Sequence, residues 1–286
     1  MTTTRHPLWC ALAVLLLVHP AMAQSQVTKF VRYAQGAQAL YGLLEGETVR
    51  PILGDPFGSY QVTDTALPLA GVTLLAPVEP SKVIAVGLNY RSHLGTREPA
   101  AYPGLFAKYP TSLVGHGHDI VVPPDAENLH YEGELVDVIG KRASNVSVAE
   151  APDYIFGVTA GNDVSERNWQ RDDLQWLRAK GSDTFGPIGP AIVTGLDYND
   201  LLVQTRLNGE VRQSESTRDL IFSVDEIVSY VSRYVTLLPG DVIFTGTPGS
   251  TAAMKHGDVV EVEVEGVGIL RNTVTAATTR REENDR

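Results

Sequence analysis

The 286-residue chain has a single cysteine, Cys10, close to its N-terminus. With no second cysteine it closes no intramolecular disulfide, so stability has to come from a buried core, which a chain of this length can build. Long apolar runs are scarce as well. The run Leu8–Val18 falls short of the ~20 residues that span a bilayer. Positive charge is in deficit: 23 Lys and Arg stand against 34 Asp and Glu, a net charge of −11. That balance excludes the basic footprint by which a protein holds nucleic acid or an anionic membrane. Internal repeats and low-complexity segments are also missing.

What is present begins with a targeting pattern. Arg5 and His6 precede the apolar run, and Ala21-Met22-Ala23 fits the small-x-small rule for signal cleavage. Residues 1–23 are therefore expected to be a signal peptide, with Gln24 as the first mature residue and a periplasmic or secreted destination. Cys10 lies inside the apolar run, well ahead of the cut, so it does not read as a lipid-attachment cysteine. Cleavage removes Arg5 and no acid, taking the net charge to −12 and leaving no cysteine and no membrane anchor.

Residues 24–78 read as a small β module. Val27–Tyr33 alternates, Ala39–Leu44 follows a glycine-bearing turn, and Glu45-Gly46-Glu47 is the next turn. Pro77 and Pro80 mark a linker into a main domain over 79–278, and 279–286 is a polar tail. Short β-branched runs punctuated by Gly and Pro fill the main domain: 120–122, 135–139, 155–158, 191–193, 202–207, 241–245, 258–264 and 268–270. Helical signals are few. Ser165–Leu177 suggests a broken helix; Ser223–Tyr234 has a serine cap, Asp225-Glu226 in the first turn, and apolar residues at 224, 227, 228 and 231. The expected class is mainly β (α+β), largely antiparallel with short helices. A βαβ reading fits poorly, because helices do not alternate with the strands.

Chemistry concentrates in His130-Tyr131-Glu132-Gly133-Glu134, which runs into the strand Leu135–Ile139. Alternation puts His130, Glu132 and Glu134 on one strand face. Two carboxylates ~4 Å apart repel by about 4 kcal/mol at an effective dielectric of ~20. A proton on one of them, open water, or a cation between them resolves the conflict. Asp163, after the apolar run 154–158, adds a third carboxylate near a strand end. Such an oxygen-only set suits Mg²⁺ or Mn²⁺, with Ca²⁺ preferring more ligands and zinc more nitrogen or sulfur.

At these residues the sequence resembles the fumarylacetoacetate hydrolase family. The matching segments, in order, include Gly87-Leu88-Asn89-Tyr90-Arg91-Ser92-His93, Phe106-Ala107-Lys108, Tyr131-Glu132-Gly133-Glu134 and Asn162-Asp163-Val164-Ser165. They continue through Ala179–Pro190, Leu207-Asn208-Gly209-Glu210, Leu238–Pro248 and Gly257–Val262. The resemblance implies a mixed β-roll with short helices, usually dimeric, binding a small dicarbonyl or 2-oxo acid. It implies a divalent ion, most often Mg²⁺, on Glu132, Glu134 and Asp163. It also implies His93 as general base and Lys180 as the active-site lysine, whose ammonium would stabilise an oxyanion. Thr247, on a turn that ends a strand, offers a hydroxyl and turn amides suited to a substrate carboxylate; Arg91 is a further substrate-binding candidate, and Tyr90 is either that or core. In many family members a glutamate three residues after the histidine pairs with it; that position is Thr96 here, so either Glu98, the nearest acid, takes the role through a shifted loop or the dyad is absent. Hydrolytic C–C cleavage is the first expectation. Decarboxylation, isomerisation or lyase chemistry is the alternative, and an exported metal-cup protein without catalysis is the rival from another class.

Overall fold

The computed structural model describes residues 27–277 and Thr2. The expected signal peptide and the polar tail lie outside the described residues. Two sheets face each other, and the difference between them is visible in their side-chain patterns. Strand Val259–Val264 reads VVEVEV and buries only Val260, Val262 and Val264. It has one face on the core and one towards water. Strand Gly133–Ile139 is buried at every position. It lies in the middle of the larger sheet, covered on both sides.

The larger sheet runs in the spatial order Tyr60–Val62, Thr48–Gly54, Gln38–Glu45, Thr28–Gln35, Gly186–Thr194, Ile155–Asn162, Gly133–Ile139, Val242–Phe244, Val83–Gly87, Gly104–Lys108. The N-terminal hairpins thus do not make a sheet of their own. Thr28–Gln35 pairs antiparallel with Gly186–Thr194, which extends the main sheet. Val242–Phe244 pairs parallel with Val83–Gly87, so the sheet is mixed rather than uniformly antiparallel. The smaller sheet, in order Asp119–Val122, Gly268–Ala276, Val259–Val264, Leu202–Leu207, Glu210–Ser216, packs on the first. Leu135, Val158 and Ala160 of the large sheet meet Val203, Val262 and Leu270 of the small one in a shared core. The fold is mainly β with a few short helices.

Helix Val224–Ser232 covers another part of the large sheet. Ser223 accepts from the Glu226 amide, and the Glu226 carboxylate accepts from the Ser223 amide, closing a capping box. Ile227, Val228 and Val231 then pack on Ile84, Ile139 and Ile243. Among the described residues no helix is long and apolar enough to cross a membrane.

At Gly133 the two layers leave no room for a side chain. A Cβ there would stand 1.9 Å from Thr205 Oγ1 on the facing sheet. Gly133→Ala is expected to cost about 1–3 kcal/mol through this overpacking. Thermal denaturation would show it as a lowered Tm, and because Gly133 joins Glu132 to Glu134 both acids would be displaced as well.

Candidate metal centre and pocket

Glu132, Glu134 and Asp163 arrive from two adjacent strands. The strand pairing is interrupted after Leu129–His130 and resumes at Gly133. Glu132 lies in this gap, where its amide donates to Asn162 Oδ1 (2.8 Å) and its carbonyl accepts from the Asp163 amide (2.8 Å). Those two bonds place Glu132 beside Asp163, the first residue past strand Ile155–Asn162. Glu134 is opposite Gly161. A side chain at Gly161 would collide with Val136 and Phe244. One carboxylate oxygen from each acid lies within 4.8 Å of the others, and all three residues are buried.

The chain itself supplies cations to this cluster. Lys180, from helix Leu177–Gly181, donates from Nζ to Glu132 Oε2 and Asp163 Oδ2, both at 2.6 Å. Lys108, ending strand Gly104–Lys108, donates to Asp163 Oδ1 at 2.6 Å and to the Lys180 carbonyl. Arg167 donates to Glu132 Oε1 at 2.5 Å. Three buried acids are therefore faced by three bases, and an ion is not the sole source of compensation that their mutual repulsion implied. The compensation is uneven. Burial pushes Glu132 up, but Lys180, then Arg167 and His93, hold it well below the usual carboxylate range. Burial pulls Lys180 down, while Asp163 and Glu132 raise it above its ordinary value. Burial lowers Lys108, and Asp163 only partly restores it.

Glu134 is the acid left out. Among the described contacts its partner is the Gly246 amide, 2.7 Å from Oε2. Burial, then Asp163 and Glu132, push it well above the usual range. A divalent ion among the three oxygens would relieve that position, and an all-carboxylate set of this spacing has the donor chemistry that Mg²⁺ or Mn²⁺ takes. The residues fit such an ion.

A cavity of about 620 Å³ opens beside the acids, lined by Glu132, Glu134, His93, Lys180 and Thr247 at one part and by Arg97, Gln170, Arg171 and Trp176 elsewhere. His93 is on the short helix Arg91–Leu94. Its Nδ1 is 2.6 Å from the Gly249 carbonyl, which can only accept, so Nδ1 carries the proton and Nε2 carries the lone pair in the neutral ring. Nε2 is 3.9 Å from Glu132 Oε1.

Other expected residues stand elsewhere. Glu98 is exposed and is not on the cavity wall. The helix carrying His93 ends at Gly95, whose φ of +63° turns the chain away, and His93 Nδ1 is engaged by a backbone carbonyl in place of a carboxylate. Arg91 is exposed; two residues from His93 is about 200° around a helix, so the two side chains leave on opposite sides. Tyr90 is fully buried with its backbone bridged to Leu220, and it does not line the cavity. Thr247 does line it, but its hydroxyl donates to the Gly133 carbonyl (2.8 Å) and accepts from Gln213 Nε2 (2.8 Å). Its single proton is committed and cannot serve a substrate carboxylate. His130 does not share a ladder face with Glu134, because the strand breaks between them. Burial, then Arg167, lower its pKa to about 4, so it is neutral at physiological pH.

Arg167, the bond from the Gly246 amide to Glu134 and the ion-pairing role of Lys108 went unread in the sequence. Lys108 had a signal in Phe106-Ala107-Lys108; Arg167, 35 positions from the glutamate it binds, had none.

Comparison with known proteins agrees with this architecture. The family described as Fumarylacetoacetate (FAA) hydrolase C-terminal matches residues 82–275, and Rv2993c-like, N-terminal matches residues 28–77. The chain belongs to the fumarylacetoacetate hydrolase family. Oxaloacetate tautomerase FAHD2A, mitochondrial, of Bos taurus is 40% identical over 223 residues, 73% of this chain and 71% of that protein. A crystal structure of 2-hydroxyhepta-2,4-diene-1,7-dioate isomerase from Mycobacterium marinum superposes with a TM-score of 0.83 at 43% identity, covering 88% of this chain and all of the other. Maleylpyruvate hydrolase from Sphingobium sp. SYK-6, solved with manganese(II) and pyruvate, gives a TM-score of 0.75 at 27% identity, covering 87% of this chain and all of the other.

Proposed function

We propose that this chain is a divalent-metal-dependent enzyme that moves a proton next to the carbonyl of a 2-oxo acid or 1,3-dicarbonyl, a tautomerase or isomerase. The observation that carries this reading is the pairing of a buried acid triad with a histidine whose Nε2 lone pair stands 3.9 Å away and whose Nδ1 is held by a backbone carbonyl. Glu132, Glu134 and Asp163 would hold Mg²⁺, or Mn²⁺ as in the Sphingobium structure. When bound, the ion supplies Lewis-acid stabilisation of negative charge developing on a carbonyl oxygen, worth several kcal/mol.

The chain's own groups do the rest. His93 Nε2 takes a proton from the carbon beside the carbonyl and returns it to oxygen or to another carbon of the same substrate, so nothing is consumed. This general-base step contributes ~10²–10⁴-fold. Lys180 has three N–H groups and spends two on Glu132 and Asp163, which leaves one for a substrate oxygen. Arg97 on the cavity wall suits an anionic substrate in a chain that is otherwise acidic, whereas Arg171 is already paired bidentately with Asp172.

Hydrolytic C–C cleavage is the second reading. It is supported by the lone pair at Nε2, which can accept from water as readily as from carbon, and by the likeness to the hydrolase. The two separate in one assay. With Mg²⁺ and oxaloacetate, the first reading expects faster keto–enol interconversion, seen as a change in enol absorbance with no loss of substrate; His93→Ala should slow it by about 10²-fold or more. Release of two products from an acylpyruvate, with no effect on oxaloacetate, would reverse the order. No turnover of either would favour a binding protein.

We further propose that the chain is exported to the periplasm or beyond after cleavage behind Ala23, on the strength of the pattern Arg5-His6, Leu8–Val18 and Ala21-Met22-Ala23, and that it works as a homodimer, on the strength of the family resemblance. Intact-mass measurement of the exported protein is expected to show Gln24 as its first residue; a mass that retains residues 1–23 would defeat export by cleavage.

A further inference from the structure

His130 is the one member of the His-x-Glu-x-Glu pattern that the proposed chemistry leaves unused. Its ring is nevertheless held at both nitrogens. Nε2 is 3.0 Å from Asn128 Oδ1, and Nδ1 is 2.8 Å from Thr251 Oγ1. An amide oxygen only accepts, so Nε2 carries the hydrogen and Nδ1 is the acceptor. The one proton of the Thr251 hydroxyl therefore goes to His130. Its oxygen lone pairs are left for Arg167, whose Nη2 donates to Thr251 Oγ1 at 2.9 Å and to Glu132 Oε1 at 2.5 Å. Arg167 Nη1 is tied to Gln170 Oε1 at 2.7 Å. The backbone supports the same contact: His130 bridges to Ala253, and the Met254 amide donates to the Leu129 carbonyl at 2.6 Å.

We propose that His130 and Thr251 are positioning residues that orient Arg167, and through it Glu132, for a divalent ion. Every hydrogen in the run has one direction: Asn128 accepts from His130, His130 accepts from Thr251, and Thr251 and Glu132 accept from Arg167. With the threonine proton turned away, the guanidinium meets an oxygen rather than a competing O–H. Arg167 then occupies one side of Oε1 and fixes the carboxylate plane, so that its remaining lone pairs stay in register with Glu134 and Asp163. Outer partners of this kind typically change metal affinity by about 10–100-fold when removed.

This inference rests on the metal reading of the acid triad, and the test separates the two. Mn²⁺ affinity is measured by calorimetry on the full chain, with thermal denaturation of each variant. Thr251→Val keeps the shape and loses the hydroxyl; it should bind Mn²⁺ about 10–100-fold more weakly, whereas Thr251→Ser should stay within about threefold of the parent. His130→Ala should weaken binding to a similar degree. The double variant His130→Ala/Thr251→Val should be no weaker than the worse single one, because both remove the same chain of contacts. Unchanged affinity in Thr251→Val, equal losses in the valine and serine variants, or multiplying losses in the double variant would overturn the proposal. Absence of Mn²⁺ binding by the parent protein would instead defeat the metal reading beneath it.

Discussion

Glu134→Gln is expected to abolish stoichiometric binding of Mg²⁺ or Mn²⁺ and to lower turnover by about 10³-fold or more, since the ion's several kcal/mol of stabilisation is lost at about 1.4 kcal/mol per factor of ten. The reason is the uneven charge balance around the triad. Glu132 already has Lys180 and Arg167, and Asp163 has Lys108 and Lys180, whereas Glu134 has a backbone amide. Its negative charge is the one that an ion would satisfy. The same imbalance gives an opposite effect without metal. A carboxylate pushed upward by burial and two acid neighbours strains the metal-free protein, so the neutral amide of Glu134→Gln should leave its Tm equal to or above the parent's in the presence of a chelator. Added Mg²⁺ should then raise the Tm of the parent and leave the variant unmoved. A variant that binds the ion with parental affinity would remove Glu134 from the site.

Asp137→Val is expected to stabilise the protein by about 1–3 kcal/mol at pH 7, the usual cost of a buried polar group without a partner. Asp137 is fully buried in strand Gly133–Ile139, and neither carboxyl oxygen has a hydrogen-bond partner in the described structure. Burial, then the nearby Asp225, push it well above the ordinary range. Asp225 in turn accepts from the Tyr198 hydroxyl at 2.8 Å, and Tyr198 is itself raised by burial and by Asp225. A carboxyl whose pKa is raised in the folded state costs stability at any pH above its unfolded value. Valine removes that cost and suits a strand whose cross-strand neighbours are Val158 and Ile243.

The pH dependence follows in sign. A group with a raised folded pKa contributes stability in full below its unfolded pKa, near 3.9, and loses it as pH rises towards the folded value. The parent should therefore fall behind Asp137→Val steadily above about pH 4, by up to about 1.4 kcal/mol per unit, and the gap should stop widening only above the folded pKa. Denaturant unfolding of both proteins from pH 4 to 8 reads this directly, and parallel curves would show that Asp137 ionises freely in the folded state.

Much of the fold is legible in the sequence because its causes are local. The stretch 258–264 announces itself as a strand by alternation and the first half of Ile155–Asn162 by its apolar run 155–158, while its second half, Thr159-Ala160-Gly161-Asn162, carries no such signal; Ser223 with Glu226 marks a helix start within four residues. Short edge strands such as Tyr60–Val62 carry no pattern of their own and form only against a neighbour. Within the site, the three acids are legible because like charges held close demand a counter-charge wherever they occur. The identity of that counter-charge is not, since Arg167 and Lys108 reach the triad through tertiary folding. Thr247 shows the same limit: its turn is readable, but the Gln213 amide that uses its hydroxyl comes from another sheet. Asp137 reads as one polar residue in an apolar strand, and only the closing of both layers over it makes it a liability.

The central claim is that Glu132, Glu134 and Asp163 together hold one divalent ion. The most direct measurement is anomalous diffraction from crystals grown with Mn²⁺. One peak per chain is expected, within about 2.0–2.3 Å of one oxygen from each of the three carboxylates. A triad that stays closed on Lys180, Lys108 and Arg167 with no peak between its oxygens would contradict it.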